Sequence, residues 1–327
     1  VRDPCINNIA TRKEMWMHVV LVDEAQDMNP YQIHLIEQLF NKGIRTICVG
    51  DSNQAIYAFR GAYSDSMERL AAMTGAMELP LSFTYRCREG IVEFTNNEIH
   101  TSEMEHVKDG GEVEYIGREG FVDRVRSDNI RMIIGAKNKS LVRAWLMLAK
   151  EKIASTLKGT GITKELRRVL DDFGAAPKTT KRGTMPPKIT IQELDAQIRE
   201  ALYDNISYDE DGQEQQALPT QTSDIYSCIL EIIEMHNIRT YEDFDALMYE
   251  MEQDSDHELH TVHSSKGLEA PSVIVLCDWF YSEQTENMKY VAYTRAEDHL
   301  MMVTDWERED DIDQVRFGIA PKKEENA

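Results

Sequence analysis

The chain has 327 residues, 42% of them hydrophobic, with 36 Lys+Arg against 58 Asp+Glu and a formal net charge of −22. That length supports a sizeable core and two domains, the apolar share excludes wholesale disorder, and the charge excludes a protein that coats nucleic acid over its whole surface. No apolar run reaches the roughly 18 residues of a membrane helix, no signal-peptide pattern opens the chain, and the cysteines (Cys5, Cys48, Cys87, Cys228, Cys277) are scattered without a CxxC pair. Reduced thiols, a cytoplasmic setting and no membrane partner are expected.

His18–Asp23 is a β-branched run closed by a carboxylate, the pattern of a buried parallel strand whose C-terminal end meets a site. The spacing of Ile33, Ile36, Leu39 and Phe40 predicts a helix over 31–42 with Gly43 as its C-cap, and Thr46–Asp51 reads as a second strand. Strand–helix–strand with polar residues at the strand ends marks an α/β domain, in which ligands lie beyond the carboxyl ends of the strands. Further helices are expected at 65–74, at 89–100 and up to Lys150, and strands at 79–83, 113–116, 131–134, 272–277 and 300–304. Residues 151–257 read as polar and helical, broken by Gly174–Pro187 and by the acidic loop Asp204–Pro219.

Charge is unevenly spread across that second half. Residues 131–190 carry 14 basic and 4 acidic side chains, whereas 191–260 carry 2 and 19. The basic stretch, with Lys158, Lys164, Arg167 and Arg168, could track a phosphate backbone or be a solvated helix face. The acidic stretch reads as solvated surface or as its electrostatic partner.

Chemistry concentrates at the strand ends. Adjacent carboxylates in Asp23-Glu24-Ala25-Gln26-Asp27 suit nucleotide hydrolysis, one holding Mg²⁺ and the other orienting the attacking water; an acidic helix start is the plainer alternative. After the next strand, Gln54 could report on a γ-phosphate, and Tyr57 and Phe59 alternate as base-stacking surfaces or as core. Thr84-Tyr-Arg-Cys87 sets a ring that can cover a base beside an arginine that can meet phosphate.

Taken in order, DEAQD, GDSNQAIYAFRGA, TYRC, HSSKGLE and YVAYTRA resemble motifs II to VI of the UvrD/Rep-type superfamily 1 DNA helicases. The resemblance covers residues 18–100 and 258–304 well and 131–150 moderately. It implies an α/β protein of two RecA-like (P-loop NTPase type) lobes with parallel sheets, the first lobe truncated and the second interrupted by a small helical insertion. The expected division is 1–82 for the first lobe, 83–150 and 258–306 for the two parts of the second, 151–257 for the insertion, and 307–327 for an acidic, polar tail.

The resemblance also implies roles. Asp23 would bind Mg²⁺, Glu24 would activate water, and Gln54 would sense the γ-phosphate. Tyr85 would stack on adenine, Glu269 would hold the ribose, and Arg86 and Arg295 would meet the γ-phosphate from the second lobe. Tyr57 and Phe59 would line single-stranded DNA, with His263, Lys266 and Gly267 coupling the nucleotide to the DNA groove. ATP and Mg²⁺ are the implied cofactors, and single-stranded and forked DNA the implied partners, in a bacterial or phage-infected cell. The motif variants resemble the 3′→5′ branch. One departure stands out: none of the 22 residues before Asp23 supplies the Gly-Lys-Ser/Thr loop that cradles phosphates in ATP-hydrolysing relatives. A separate P-loop polypeptide, or replication and repair proteins, would then be partners. The competing expectation is a non-hydrolysing DNA-binding or regulatory protein on a degenerate helicase core.

Overall fold

The structure, a computed structural model, describes residues 18–128, 130–159, 161–180, 183–204, 206–208, 214–216, 220–278 and 285–306. The expected tail at 307–327 and most of the acidic loop lie outside the described residues.

In the first lobe, β1 (Val19–Val22) and β2 (Arg45–Cys48) pair in parallel, Val19 opposite Arg45 and Val22 opposite Cys48. Between them runs α1 (Pro30–Asn41). Its start is fixed by Asn29, whose side chain accepts from the Tyr31 and Gln32 amides while Gln32 reaches back to the Asn29 amide, with Pro30 as the first helical residue. Ile36 and Leu39 of α1 meet Leu70 of α2 (Ser66–Thr74) and Ala25 in a small core. Among the described residues nothing covers the opposite face of the two strands: Leu21 is 74% exposed, and Val19 and Ile47 are exposed too.

The chain then runs extended into the second lobe. The expected strand at 79–83 is not one: Leu79 and Leu81 are exposed, and pairing begins only at β3 (Phe83–Thr84), beside β4 (Glu105–His106). Between these lies α3 (Glu89–Glu98). Among the described residues nothing offers 79–82 a ladder.

The second lobe holds a six-stranded, all-parallel sheet. Its strands are β5 (Glu112–Ile116), β6 (Met132–Gly135), β7 (Thr156–Lys158), β12 (Glu258–Thr261), β13 (Ala270–Leu276) and β14 (Ala296–Val303), in the order β5-β14-β13-β6-β12-β7. Two short antiparallel pairs, β8 (Lys178–Thr180) with β9 (Gly183–Met185) and β10 (Ile206–Tyr208) with β11 (Glu214–Gln216), stand apart from this sheet. Connections run through helices, as parallel pairing demands. These are α4 (Phe121–Ser127), α5 (Asn138–Lys150), α6 (Ile162–Phe173), α7 (Ile191–Asp204), α8 (Thr220–His236), α9 (Tyr241–Met251), the single turn α10 (Val262–Ser265) and α11 (Thr285–Tyr293). Every residue of β6 is buried, which explains its unbroken Met-Ile-Ile-Gly run.

Two core clusters sandwich the sheet. Ile91, Val92, Val273, Val291 and Leu300 form one, on the side of α3 and α11. Ile133, Leu146, Leu259 and Ile274 join Leu166, Ile198, Ile229 and Phe244 in the other. Within the stretch 151–257 expected as an insertion, β7 is an edge strand of the sheet, and the helices share the sheet's core.

Candidate functional site

The loops after β1 and β2 are stitched to each other before they meet anything else. The Ala25 amide donates to the Val49 carbonyl at 2.9 Å, and buried Gln26 accepts from the Asp51 amide at 3.1 Å. Gly50 makes this possible, because a Cβ there would stand 2.5 Å from the Gln26 carboxamide oxygen and 3.0 Å from the Gln26 amide. Glu24 sits in the left-handed region (φ 53, ψ 41), an uncommon conformation for a non-glycine and of the kind concentrated at functional sites. Its carboxylate accepts from Gln26 Nε2 at 2.5 Å, and its amide donates to Asp23 Oδ1 at 2.9 Å. Asp51 accepts from the Asn53 amide and from Gln54 Nε2, at 3.0 and 2.9 Å.

The second lobe reaches into this frame through Lys266. Its ammonium donates to Asp27 Oδ2 at 2.5 Å and to the Gln54 carbonyl at 3.0 Å, stands 3.4 Å from Glu24 Oε2, and lies 5.3 Å from the centre of the Tyr57 ring. The Lys266 side chain is 8% exposed. Burial pushes the Asp27 carboxyl up from its ordinary range, and Lys266 pulls it back. The other Asp27 oxygen, Oδ1, is buried with no hydrogen-bond partner.

Beside Lys266, Tyr57, Phe59 and His263 form an aromatic group, with Phe59 edge-on to His263 at 5.0 Å. The Tyr57 hydroxyl donates to the His263 carbonyl, and His263 Nε2 donates to the Ile56 carbonyl, both at 3.2 Å. Burial holds the His263 pKa below its ordinary value, so the ring is a neutral donor. Phe59 is 59% exposed, and the Arg60 guanidinium covers Tyr57 and Phe59 at 5.1 and 5.4 Å. The shelf is thus half core, at Tyr57 and His263, and half open, at Phe59.

A second knot holds the arginines. Arg86 donates to Glu269 Oε2 at 2.6 Å and to the Thr294 carbonyl at 3.3 Å. Arg295 is 1% exposed and donates to the carbonyls of Val291 and Leu268 and to the Thr294 hydroxyl, at 2.9, 3.0 and 3.1 Å. Burial, then the neighbouring Arg86, pulls its pKa down to about 10. Arg86 and Glu269, expected to face different parts of a nucleotide, engage each other. Tyr85 is 71% exposed at the rim, and Gly267 is exposed with φ 84.

Contacts that local sequence could not reveal complete the seam. Asn53 donates to the Thr101 carbonyl at 3.1 Å and accepts from its hydroxyl at 2.5 Å. Asn287 donates to the carbonyls of Ser52 and Ala55, at 3.1 and 3.0 Å. Asp27 was likewise absent from the expected site; its only signal was a third acidic residue in the first motif.

The basic stretch has a plainer fate. Lys158 pairs with Asp254 at 2.5 Å, Arg167 with Glu252 at 2.8 Å and Asp245 at 3.4 Å, and Arg168 with Glu165 at 3.1 Å. Most of these partners come from the acidic stretch, so of the two readings of that stretch the electrostatic partner holds here.

Parallel strands that end in carboxylates in one lobe, met by a lysine from a second lobe built on a six-stranded parallel sheet, fit a RecA-like helicase fold. Residues 7–73 match the UvrD/REP helicase N-terminal domain, and residues 258–303 match the UvrD-like helicase C-terminal domain. These two stretches are thus similar to UvrD/Rep-type helicase domains, and several of the relatives they resemble are named as DNA helicases. The chain is 36% identical over 86 residues to a probable DNA helicase II homolog of Mycoplasma genitalium, covering 25% of this chain and 12% of that protein. It is 33% identical over 94 residues to the RecBCD enzyme subunit RecB of Mycobacterium tuberculosis, covering 29% of this chain and 8% of that one. Against the Gabija protein GajB of Bacillus cereus it is 25% identical over 323 residues, covering 88% of this chain and 63% of the relative. The chain therefore spans less than two thirds of the length of each. No helix among the described residues is long and apolar enough to cross a membrane.

Proposed function

We propose that the chain is the motor part of an ATP-dependent DNA helicase that moves 3′→5′ along single-stranded DNA. The observation that carries this reading is Lys266: one buried side chain touches two carboxylates after β1, the backbone of Gln54 and the face of Tyr57. Any shift of charge at Glu24 or Asp27 is felt directly at the aromatic shelf.

The residues present fit a magnesium nucleotide. Asp23 and Glu24 are exposed oxygen donors of the kind Mg²⁺ takes, and Asp27 Oδ1 is a buried acceptor in want of a donor. Asp23 would hold the ion, which when bound would screen the phosphates' charge. Glu24, pinned by Gln26, would orient and deprotonate water. Arg86 and Arg295, on the opposite lobe, would stabilise negative charge on phosphate once Arg86 exchanges Glu269 for it, freeing Glu269 for the ribose. Gln54 would report the change through Asp51 and Lys266, and Tyr85 would cover the base.

The second lobe's own strand–helix turn does not compete for phosphate. The amides of Ala136 and Lys137 donate to Asp278, and those of Asn138 and Lys139 to Asp224, so the start of α5 is already filled by carboxylates. No Gly-Lys-Ser/Thr run occurs anywhere in the sequence.

Binding of a fluorescent oligothymidine followed by anisotropy tests the DNA half of this reading. Tyr57→Ala with Phe59→Ala is expected to weaken it at least tenfold, since base stacking is worth roughly 1–3 kcal/mol per base; unchanged binding overturns the shelf. Phosphate release with single-stranded DNA tests the other half. It is expected to be abolished by Glu24→Gln. Displacement of streptavidin from one DNA end reads the direction.

A further inference from the structure

Away from the seam, β4 and the first turn of α3 bring three metal-ligating side chains together. Glu89 opens α3, His106 ends β4, and Asp109 follows on the next turn. One ligand atom from each lies within 4.8 Å of the others. His106 Nε2 stands 3.8 Å from Glu89 Oε1 and 3.9 Å from Asp109 Oδ1. Those separations exceed a hydrogen bond. They are only a few tenths of an ångström longer than the ~3.3–3.5 Å between neighbouring ligands of a tetrahedral ion with bonds of about 2.0–2.2 Å.

The turn that carries Asp109 is held in place without an ion. The Glu89 amide donates to the Lys108 carbonyl at 3.0 Å, the Gly90 amide to the Gly110 carbonyl at 2.8 Å, and Arg88 Nη1 to the Asp109 carbonyl at 3.0 Å. Helix and turn touch so closely that a Cβ on Gly90 would stand 2.4 Å from the Gly111 carbonyl oxygen. The ligands are thus pre-organised by backbone bonds. Glu89 and His106 are half-buried, while the Asp109 side chain is 95% exposed, leaving an open path for an ion. Arg88 is the competing cation, but its Nε is engaged by Asp298.

We propose that Glu89, His106 and Asp109 form a binding site for one late first-row divalent cation, zinc above all, with water completing the shell. One imidazole and two carboxylates make a borderline nitrogen–oxygen set that suits zinc and its neighbours, whereas magnesium and calcium favour all-oxygen shells. The bound ion would clip the 107–111 turn to a helix that starts three residues after Arg86.

Zinc titrated calorimetrically into tag-free, metal-stripped protein tests this, with cobalt absorption as a second readout. One ion per chain is expected, weakened at least tenfold by His106→Ala and by Glu89→Gln. Asp109→Asn, at an exposed turn, gives the same loss without risk to folding. A zinc affinity unchanged in all three variants, a cobalt spectrum dominated by thiolate charge transfer, or equal affinity for magnesium would each overturn the site.

Discussion

Lys266 is the residue on which the two lobes depend most directly. Its removal leaves Asp27 half-buried with an unpaired oxygen on each side, and leaves Gln54's carbonyl without a donor. Breaking a fully buried pair costs about 3–5 kcal/mol, but Asp27 keeps 19% and Glu24 60% exposure, so solvent screens part of the loss. Lys266→Met is expected to lower stability by roughly 1–3 kcal/mol in urea unfolding, and Asp27→Asn in the same background to recover part of it. An additive pair of losses would deny the contact. The amino-acid pattern marked Lys266 and His263 because they belong to an ordered motif, and the structure sets both in the seam. It could not mark Asp27, Asn53 or Asn287, whose partners lie 239, 48 and up to 235 residues away.

At the scale of helices and strands, legibility followed burial. Strands buried on both faces, such as β6 and the second half of β13, are continuous apolar runs and were readable to within a residue or two. β7 was not, because Thr-Leu-Lys at a sheet edge carries one apolar residue and no period. Missing it left an edge strand of the sheet inside the expected insertion. The insertion itself is fastened by an ion pair between α5 and α8, where Arg143 meets Glu231 through two bonds, Nη2 to Oε2 at 2.9 Å, with side chains 8% and 9% exposed. Arg143→Met strands a carboxylate in the core and is expected to cost about 3–5 kcal/mol. Arg143→Met combined with Glu231→Leu removes both charges and is expected to restore most of that, because a well-packed apolar pair replaces such a bridge at little loss. Equilibrium urea titration of the three variants checks both, and equal instability of single and double variants would show that packing, not charge, is at stake.

For the molecule as a whole, the proposed function raises the question of how a chain of net charge −22 would hold a polyanion. The basic stretch suggested that the insertion grips phosphates, yet Lys158, Arg167 and Arg168 are each paired with carboxylates of this chain. Such pairs neutralise the field that would otherwise release counterions from DNA, so on the proposed function the contact with single strands would fall to the aromatic shelf and to Arg60 above it. Two consequences can be separated by measuring DNA affinity across a salt series. Each phosphate contact in single-stranded DNA contributes a slope of about −0.7 in log affinity against log salt. Lys164→Ala with Arg168→Ala is expected to leave that slope unchanged, whereas Arg60→Ala is expected to make it shallower by about 0.7. A fall of two phosphates' worth on neutralising the insertion would return the grip to that element and demand that its ion pairs open when DNA arrives. An unchanged slope places the binding energy in stacking, where it is tolerant of sequence and weakly sensitive to salt, as the proposed movement along a strand requires.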